Sequence, residues 1–186
     1  MAGIRGGTDI AFRRRVWDAP RVSAANFQDA GAFHRAMRRF GSTTAGAWFF
    51  ARVLHHVDRA VFRLTGRKGT FARWASGIPV VMLTTTGAKS GLQRTSPVLG
   101  IADGDALILI ASNFGQDHHP GWAHNLRAHP DATVAAEGVA REVTARELEG
   151  EERERAFRLG GEIYPGYAAY RRRASREIPV FRLEPR

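Results

Sequence analysis

The sequence predicts an α+β fold that is mainly β, a small antiparallel barrel with flanking helices, and three observations carry that prediction. Short apolar runs recur between polar turns such as Asp103-Gly104-Asp105 and Glu137-Gly138, in the manner of hairpin-connected strands. The long alternation of strand and helix that marks a doubly wound parallel sheet is absent. A final apolar stretch, Ile178-Pro179-Val180-Phe181-Arg182-Leu183, follows the last helices and is available to close the barrel.

Taken in order, the chain opens without pattern. Residues 1 to about 30 mix Gly, Arg, Asp and Pro with neither helical nor alternating period, and Ala19-Pro20 adds a breaker. Residues 1–40 are therefore expected as a flexible N-terminal arm and 41–186 as one barrel domain, with both Met1 and Met37 candidate starts. Between 45 and 64, Phe50, Val53, Leu54, Val57, Val61 and Leu64 recur at helical spacing while Arg52, His55, Asp58, Arg59 and Arg63 fill the rest. That pattern is an amphipathic basic helix, expected to lie over one opening of the barrel. Trp48, Phe49 and Phe50 beside arginines give it a second reading, peripheral contact with an anionic membrane surface.

The central stretch begins with the apolar run Val80-Val81-Met82-Leu83, which leads into a polar turn tipped by Lys89. Arg94-Thr95-Ser96-Pro97-Val98-Leu99 reads as the return strand, and residues 106 to 111 as a third, emptying into Ser112-Asn113-Phe114-Gly115. A helix follows, with Pro120 suited to its first position, Trp122 to Arg127 carrying the pattern and Pro130 stopping it. Residues 132 to 136 and 139 to 148 are paired strands. Gly150 starts a helix whose first turn, Glu151-Glu152, suits the dipole and which Gly160-Gly161 is expected to end. A further helix is expected to hold Tyr164, Tyr167 and Tyr170, three apart and so neighbours along one side.

Composition limits the function classes. At 186 residues, 44% apolar and 10% aromatic, the chain is sized for a single domain with a real core. The absence of cysteine excludes disulfides, thiolate metal sites and cysteine nucleophiles. No stretch is long and apolar enough to span a bilayer, and the N-terminal arginines precede no apolar core of a signal peptide, so the expected location is the cytoplasm. Should residues 45–64 bind lipid, the inner face of the membrane is the alternative. The formal charge of +10 reads either as a solubilising arginine-rich surface or as attraction to an anionic small molecule. Nucleic acid is not expected as a partner, because the basic residues are dispersed and no recognition motif accompanies them. The oligomeric state is not legible.

Several catalytic motifs fail. Gly87-Ala88-Lys89-Ser90 lacks the earlier glycine and the adjacent Gly-Lys of a phosphate loop. His119, His124 and His129 recur every five residues and drift around a helix, so no metal site is expected. Ser112 lacks the flanking glycines of a nucleophile elbow. Lys89 and Arg94 are more informative: five residues apart across a tight turn, with Ser90, Thr95 and exposed backbone N–H groups, they form a candidate clamp for a phosphate or carboxylate. By spacing, Trp122 and Leu126 read as core, and Asn125 lies on a neighbouring face that can reach a ligand.

Several blocks in series now carry a resemblance. Leu83-Thr84-Thr85-Thr86-Gly87-Ala88-Lys89-Ser90-Gly91, Arg94-Thr95-Ser96-Pro97, Ala111-Ser112-Asn113, His119-Pro120-Gly121-Trp122-Ala123-His124-Asn125-Leu126 and Tyr164-Pro165-Gly166-Tyr167-Ala168-Ala169-Tyr170 resemble, in order and spacing, the deazaflavin-dependent nitroreductase family. The likeness runs from about residue 48 to 185. It implies a split β-barrel of the FMN-binding kind and coenzyme F420, a deazaflavin with a phosphate and an oligoglutamate tail. By the same resemblance, Ala88, Lys89 and Ser90 with Arg94, Thr95, Ser96, Pro97, Val98 and Leu99 hold the phosphate and tail side. Ile110, Ala111, Ser112 and Asn113 line the deazaflavin, and Gly121, Trp122, Ala123, His124 and Asn125 cover it. Tyr167 meets the ring at the substrate face, Tyr164 and Tyr170 shape the substrate pocket, and Ser112 is a second candidate donor. Ala88 stands where members commonly carry arginine and Asn113 where some carry lysine.

The implied reaction is hydride transfer from the reduced deazaflavin to an enone, a quinone or a nitroaromatic, small organic substrates whose reduction needs alignment and exclusion of water. Tyr167 or Ser112 would stabilise the developing oxyanion. Two other classes remain open at this point: an FMN-dependent enzyme or flavin carrier on the same barrel, and a non-catalytic basic binding module.

Overall fold

A single residue, Gly100, joins two strands that lie at opposite edges of one sheet, so the sheet has to curl until those edges approach. The computed structural model describes residues 28–43, 45–46, 77–136 and 139–186. In chain order these form α1 (Ala32–Ser42), β1 (Val80–Thr86), β2 (Gln93–Leu99), β3 (Ile101–Asp103), β4 (Ala106–Ile110), a 3-10 turn (Asn113–Gly115), α2 (Gly121–Ala128), β5 (Asp131–Ala136), β6 (Val139–Glu147), α3 (Gly150–Ile163), α4 (Gly166–Arg173) and β7 (Val180–Pro185). The seven strands run β2-β1-β5-β6-β7-β4-β3, every pair antiparallel. The result is the mainly-β curled half-barrel with flanking helices that the sequence predicts, a split-barrel-like fold. At the corner, a Cβ on Gly100 would stand 3.0 Å from Leu107 Cδ1 and 3.2 Å from Val81 Cγ1, so a larger residue would have to push these side chains aside.

β4 shows how the fold is layered. All five of its residues are buried, yet they divide by parity. Leu107 and Leu109 point into the barrel with Val81, Leu83, Val98, Phe181 and Leu183. Ile108 and Ile110 point outward under α3 and α4, against Phe157, Ile163 and the three tyrosines. Full burial of each such aliphatic side chain contributes roughly 1.5–3 kcal/mol, so both layers favour the register that splits them this way.

Several expectations change. Gly160-Gly161 does not stop α3, which continues to Ile163. Gly160 serves close approach instead: a Cβ there would lie 2.6 Å from Ile110 Cδ1 and 3.1 Å from Tyr167 Cδ2. Tyr164 is not on a helix with its two partners but is the C-cap residue of α3, its N–H donating to Gly160 O, and Pro165 opens α4 behind it. The last strand starts two residues later than expected, at Val180, and Ile101–Asp103 forms a separate short strand, β3, which takes in Asp103, expected as the first residue of a turn. The boundary expected at residue 40 falls inside α1, which lies against α4. Arg38 explains why: it is 1% exposed, and its Nη1 donates to Ile163 O at 2.9 Å, a cation set on the carbonyl end of α3. The basic helix expected over 45–64 lies outside the described residues apart from residues 45 and 46.

Candidate active site

The β1–β2 hairpin presents its turn to solvent. Gly91 N–H donates to Gly87 O at 2.8 Å, Gly91 adopts φ 66°, and Ala88, Lys89, Ser90 and Leu92 are all exposed. Arg94 follows on the exposed edge strand, opposite Thr85, and Thr95 pairs with Thr84 through hydroxyls 2.9 Å apart. Neither Lys89 nor Arg94 meets a carboxylate among the described residues. By contrast, Arg127, Arg146, Arg153, Arg155, Arg171, Arg182 and Arg186 are all tied to acidic partners. Two uncommitted cations beside a glycine turn fit the anionic end of a cofactor.

The rest of β2 does not converge on that turn. Six residue steps at about 3.4 Å place Leu99 about 20 Å from Gln93. Val98 is spent in the barrel core, Leu99 packs against the outer layer, and Ser96 and Pro97 are half-buried between them.

Asn125 on α2 closes the hairpin from the side. Its Oδ1 accepts Ala88 N–H at 3.0 Å and its Nδ2 donates to the buried Thr85 Oγ1 at 2.9 Å. Both ends of the amide are therefore committed to the turn, and Ala88 N–H is taken before any ligand arrives. On the same helix Ala123 and Leu126 are core, Trp122 stacks edge-on to Phe181 at 5.8 Å, and Gly121 and His124 are exposed.

Between β4 and α2 the chain adopts a left-handed path. Asn113 (φ 46°), Phe114 (φ 57°) and Gly115 (φ 77°) are consecutive, and for a residue with a Cβ that region costs roughly 1–2 kcal/mol. Local contacts offset it: Asn113 Nδ2 donates to His118 O at 3.0 Å, and the Phe114 ring meets Tyr170 edge-on at 6.2 Å. Gly115 has no room for a side chain, since its Cβ would come 3.2 Å from Tyr170 Cα. Ile110 and Ala111 enter this loop as buried apolar residues. Ser112, 7% exposed, makes no side-chain hydrogen bond among the described residues.

The three tyrosines form one buried aromatic group with ring centroids 5.6, 5.8 and 6.4 Å apart. Their protons can be assigned. Tyr170 OH lies 2.7 Å from Gly41 O, which only accepts, so Tyr170 donates there. The 2.7 Å contact between the Tyr164 and Tyr170 hydroxyls is then donated by Tyr164. Tyr167 is left with a hydroxyl that has no hydrogen bond among the described residues. Burial first, and then its neighbours' hydroxyls, push the Tyr164 phenol above its ordinary range, and burial followed by Tyr170 does the same to Tyr167. Burial raises Tyr170 as well, but with Tyr164 and Arg173 opposing it the phenol is pushed up to about 12.

The hairpin turn thus touches α2, and the left-handed loop, which leads into α2, touches α4. Sequence reasoning found the residues at the turn, on α2 and on α4, but not Phe114, Gly41 or Arg176. Arg176 donates to Ala111 O and Ser112 O, both at 3.2 Å, yet in the sequence it looks like one more arginine after Arg171-Arg172-Arg173.

Comparison with known proteins supplies the family. The sequence profile of the F420H(2)-dependent quinone reductase family matches residues 54–185. An F420H(2)-dependent quinone reductase of Mycobacterium tuberculosis is 36% identical over 137 residues, covering 72% of this chain and 91% of the relative. A solved F420-H2 dependent reductase is 43% identical with TM-score 0.53, over 57% of this chain and 94% of its own. A second solved chain, described as a domain-swapped dimer, is 38% identical with TM-score 0.56, over 69% and 97%. These matches favour the deazaflavin over the flavin mononucleotide and non-catalytic readings. The chain belongs to the F420H(2)-dependent quinone reductase family, and it is a reductase whose cofactor is coenzyme F420.

Proposed function

We propose that this reductase delivers hydride to a quinone and that Tyr167 is the hydrogen-bond donor to the quinone oxygen. The carrying observation is the proton assignment: of three neighbouring phenols, Tyr164 and Tyr170 already donate within the protein, and Tyr167 does not. Reduced coenzyme F420 supplies the hydride when bound. Lys89 and Arg94 hold its anionic end, and Ser112 with the left-handed loop lines the ring side.

As negative charge grows on the substrate oxygen, a donor already fixed by packing stabilises it without reorganisation. Tyr167 is such a donor, buried to 3% exposure and pinned edge-on by both other rings. Because burial raises its pKa above the ordinary phenol value, it stays protonated through neutral and moderately alkaline pH. It donates a hydrogen bond and keeps its proton; the proton that completes the hydroquinone comes from solvent. Enones and nitroaromatics develop similar charge and can be accepted at the same site.

Single-turnover oxidation of the bound reduced cofactor by a quinone tests this reading. Tyr167→Phe keeps the ring and should slow that step about ten- to a thousandfold while leaving cofactor affinity near the parent's. A parent-like rate in Tyr167→Phe with a slow Ser112→Ala assigns the donor role to Ser112 instead.

A further inference from the structure

We propose that Arg176 is a positioning residue for the cofactor side of the site: it holds residues 111 to 119 in the shape that meets coenzyme F420, and holds the far end of that stretch, at His119, only while His119 is neutral. The proposal rests on the reading that this loop lines the deazaflavin.

One planar guanidinium spans the loop. Nη2 donates to Ala111 O and Ser112 O, both at 3.2 Å, Nε donates to Gln116 O at 3.0 Å, and Nη1 donates to His119 Nδ1 at 2.8 Å and Glu177 O at 3.2 Å. It therefore fixes the loop's start, middle and end from a single point. A neighbouring tie runs the same way, Asp117 Oδ1 accepting both the hydroxyl (2.8 Å) and the N–H (3.3 Å) of Ser175. The stretch so held contains the left-handed Asn113 and Phe114, which need an external hold to stay there. Lysine, a point charge with tetrahedral donors, cannot reproduce the spread of a guanidinium fork.

His119 makes the hold dependent on pH. Arginine has only donors to offer, so His119 Nδ1 must accept and the ring proton sits on Nε2. The groups facing the ring are Arg176, His124 with its ring 5.5 Å away, Arg127, and the opposing carboxylate of Glu147. Burial first, then Arg176, hold the His119 pKa below its ordinary value. The sign follows: the accepting, neutral form is complete above the ordinary histidine pKa, and the His119 end of the hold is lost as pH falls through the lowered one. Protonation would set a cation against Arg176 and remove its acceptor.

Titration of the full chain with oxidised coenzyme F420 at about pH 7.5 and about pH 5 tests this. His119→Asn places a carbonyl where Nδ1 stands and cannot take up a proton. Affinity in the parent should fall between the two pH values by about tenfold more than in His119→Asn, a ratio in which the cofactor's own titration cancels. Arg176→Lys should bind about tenfold more weakly at the higher pH and lose that extra pH dependence. Parent-like affinity in Arg176→Lys, or a parent-like pH profile in His119→Asn, would overturn the proposal. Should Arg176→Lys not fold, the His119→Asn comparison decides alone. Absence of binding by the parent at both pH values overturns the underlying reading itself, which separates the two failures.

Discussion

Lys89 and Arg94 differ from the seven arginines tied to acidic partners in having no carboxylate partner among the described residues, and that makes a quantitative expectation possible. Both are exposed, so each contact to a phosphate or glutamate is screened, and the double replacement Lys89→Ala with Arg94→Ala should weaken coenzyme F420 binding about 10- to 100-fold rather than abolish it. The parent's affinity should fall as salt rises, and the double variant's should respond far less. Equal affinities in an equilibrium titration would remove the clamp. The sequence exposed these two residues because the signal is local: a charged pair across a glycine turn. It was less informative for Asn125, which was legible as polar on a ligand-facing side but not as a clip. Its partners, Ala88 and Thr85, lie 37 and 40 residues away, and only the fold brings them together.

At the scale of elements, periodicity located the strands flanking the site because each buries one or both faces, and it erred where one residue type has two uses. Gly160-Gly161 reads as a helix stop, since glycine both frees the backbone and lowers helix propensity. In the fold Gly160 is instead a contact surface, letting α3 settle on Ile110 and Ile101. Tyr164, three residues from Tyr167, reads as sharing its helix, but Pro165 intervenes and the ring reaches its partners from the end of α3. Gly160→Ala separates these uses. Were the glycine only a terminator, alanine would extend the helix and stabilise; as a contact point it must displace Ile110 or Tyr167, at a cost of about 1–3 kcal/mol. Urea unfolding reads the sign directly, and because Tyr167 is among the displaced groups, turnover should fall as well. A stabilised variant with parent-like turnover would mean the helix can move away from the sheet freely.

For the whole molecule, the question is whether the N-terminal helix belongs to the enzyme. No hydrophobic pattern precedes residue 30, and α1 itself exposes Phe33 and Phe40, so its attachment is not legible from hydrophobic periodicity. The attachment is polar: Arg38 on the last carbonyl of α3, and the Gly41 carbonyl taking the Tyr170 proton. Through Tyr170 and Tyr164, α1 orients the two phenols that frame Tyr167. Arg38→Met keeps much of the buried stem and removes the donors. It leaves Ile163 O without that bond inside the protein, so stability should fall by about 1–3 kcal/mol at an unchanged denaturant slope. The same change loosens α1, so Gly41 should hold Tyr170 less tightly and the single-turnover rate with a quinone should drop several-fold although Arg38 touches neither substrate nor cofactor. Deleting residues 1–27, which precede every described contact of α1, should leave both measurements near the parent's. If Arg38→Met unfolds at the parent's midpoint and turns over at the parent's rate, α1 rests on the barrel without supporting it, and the arm then extends through Ser42.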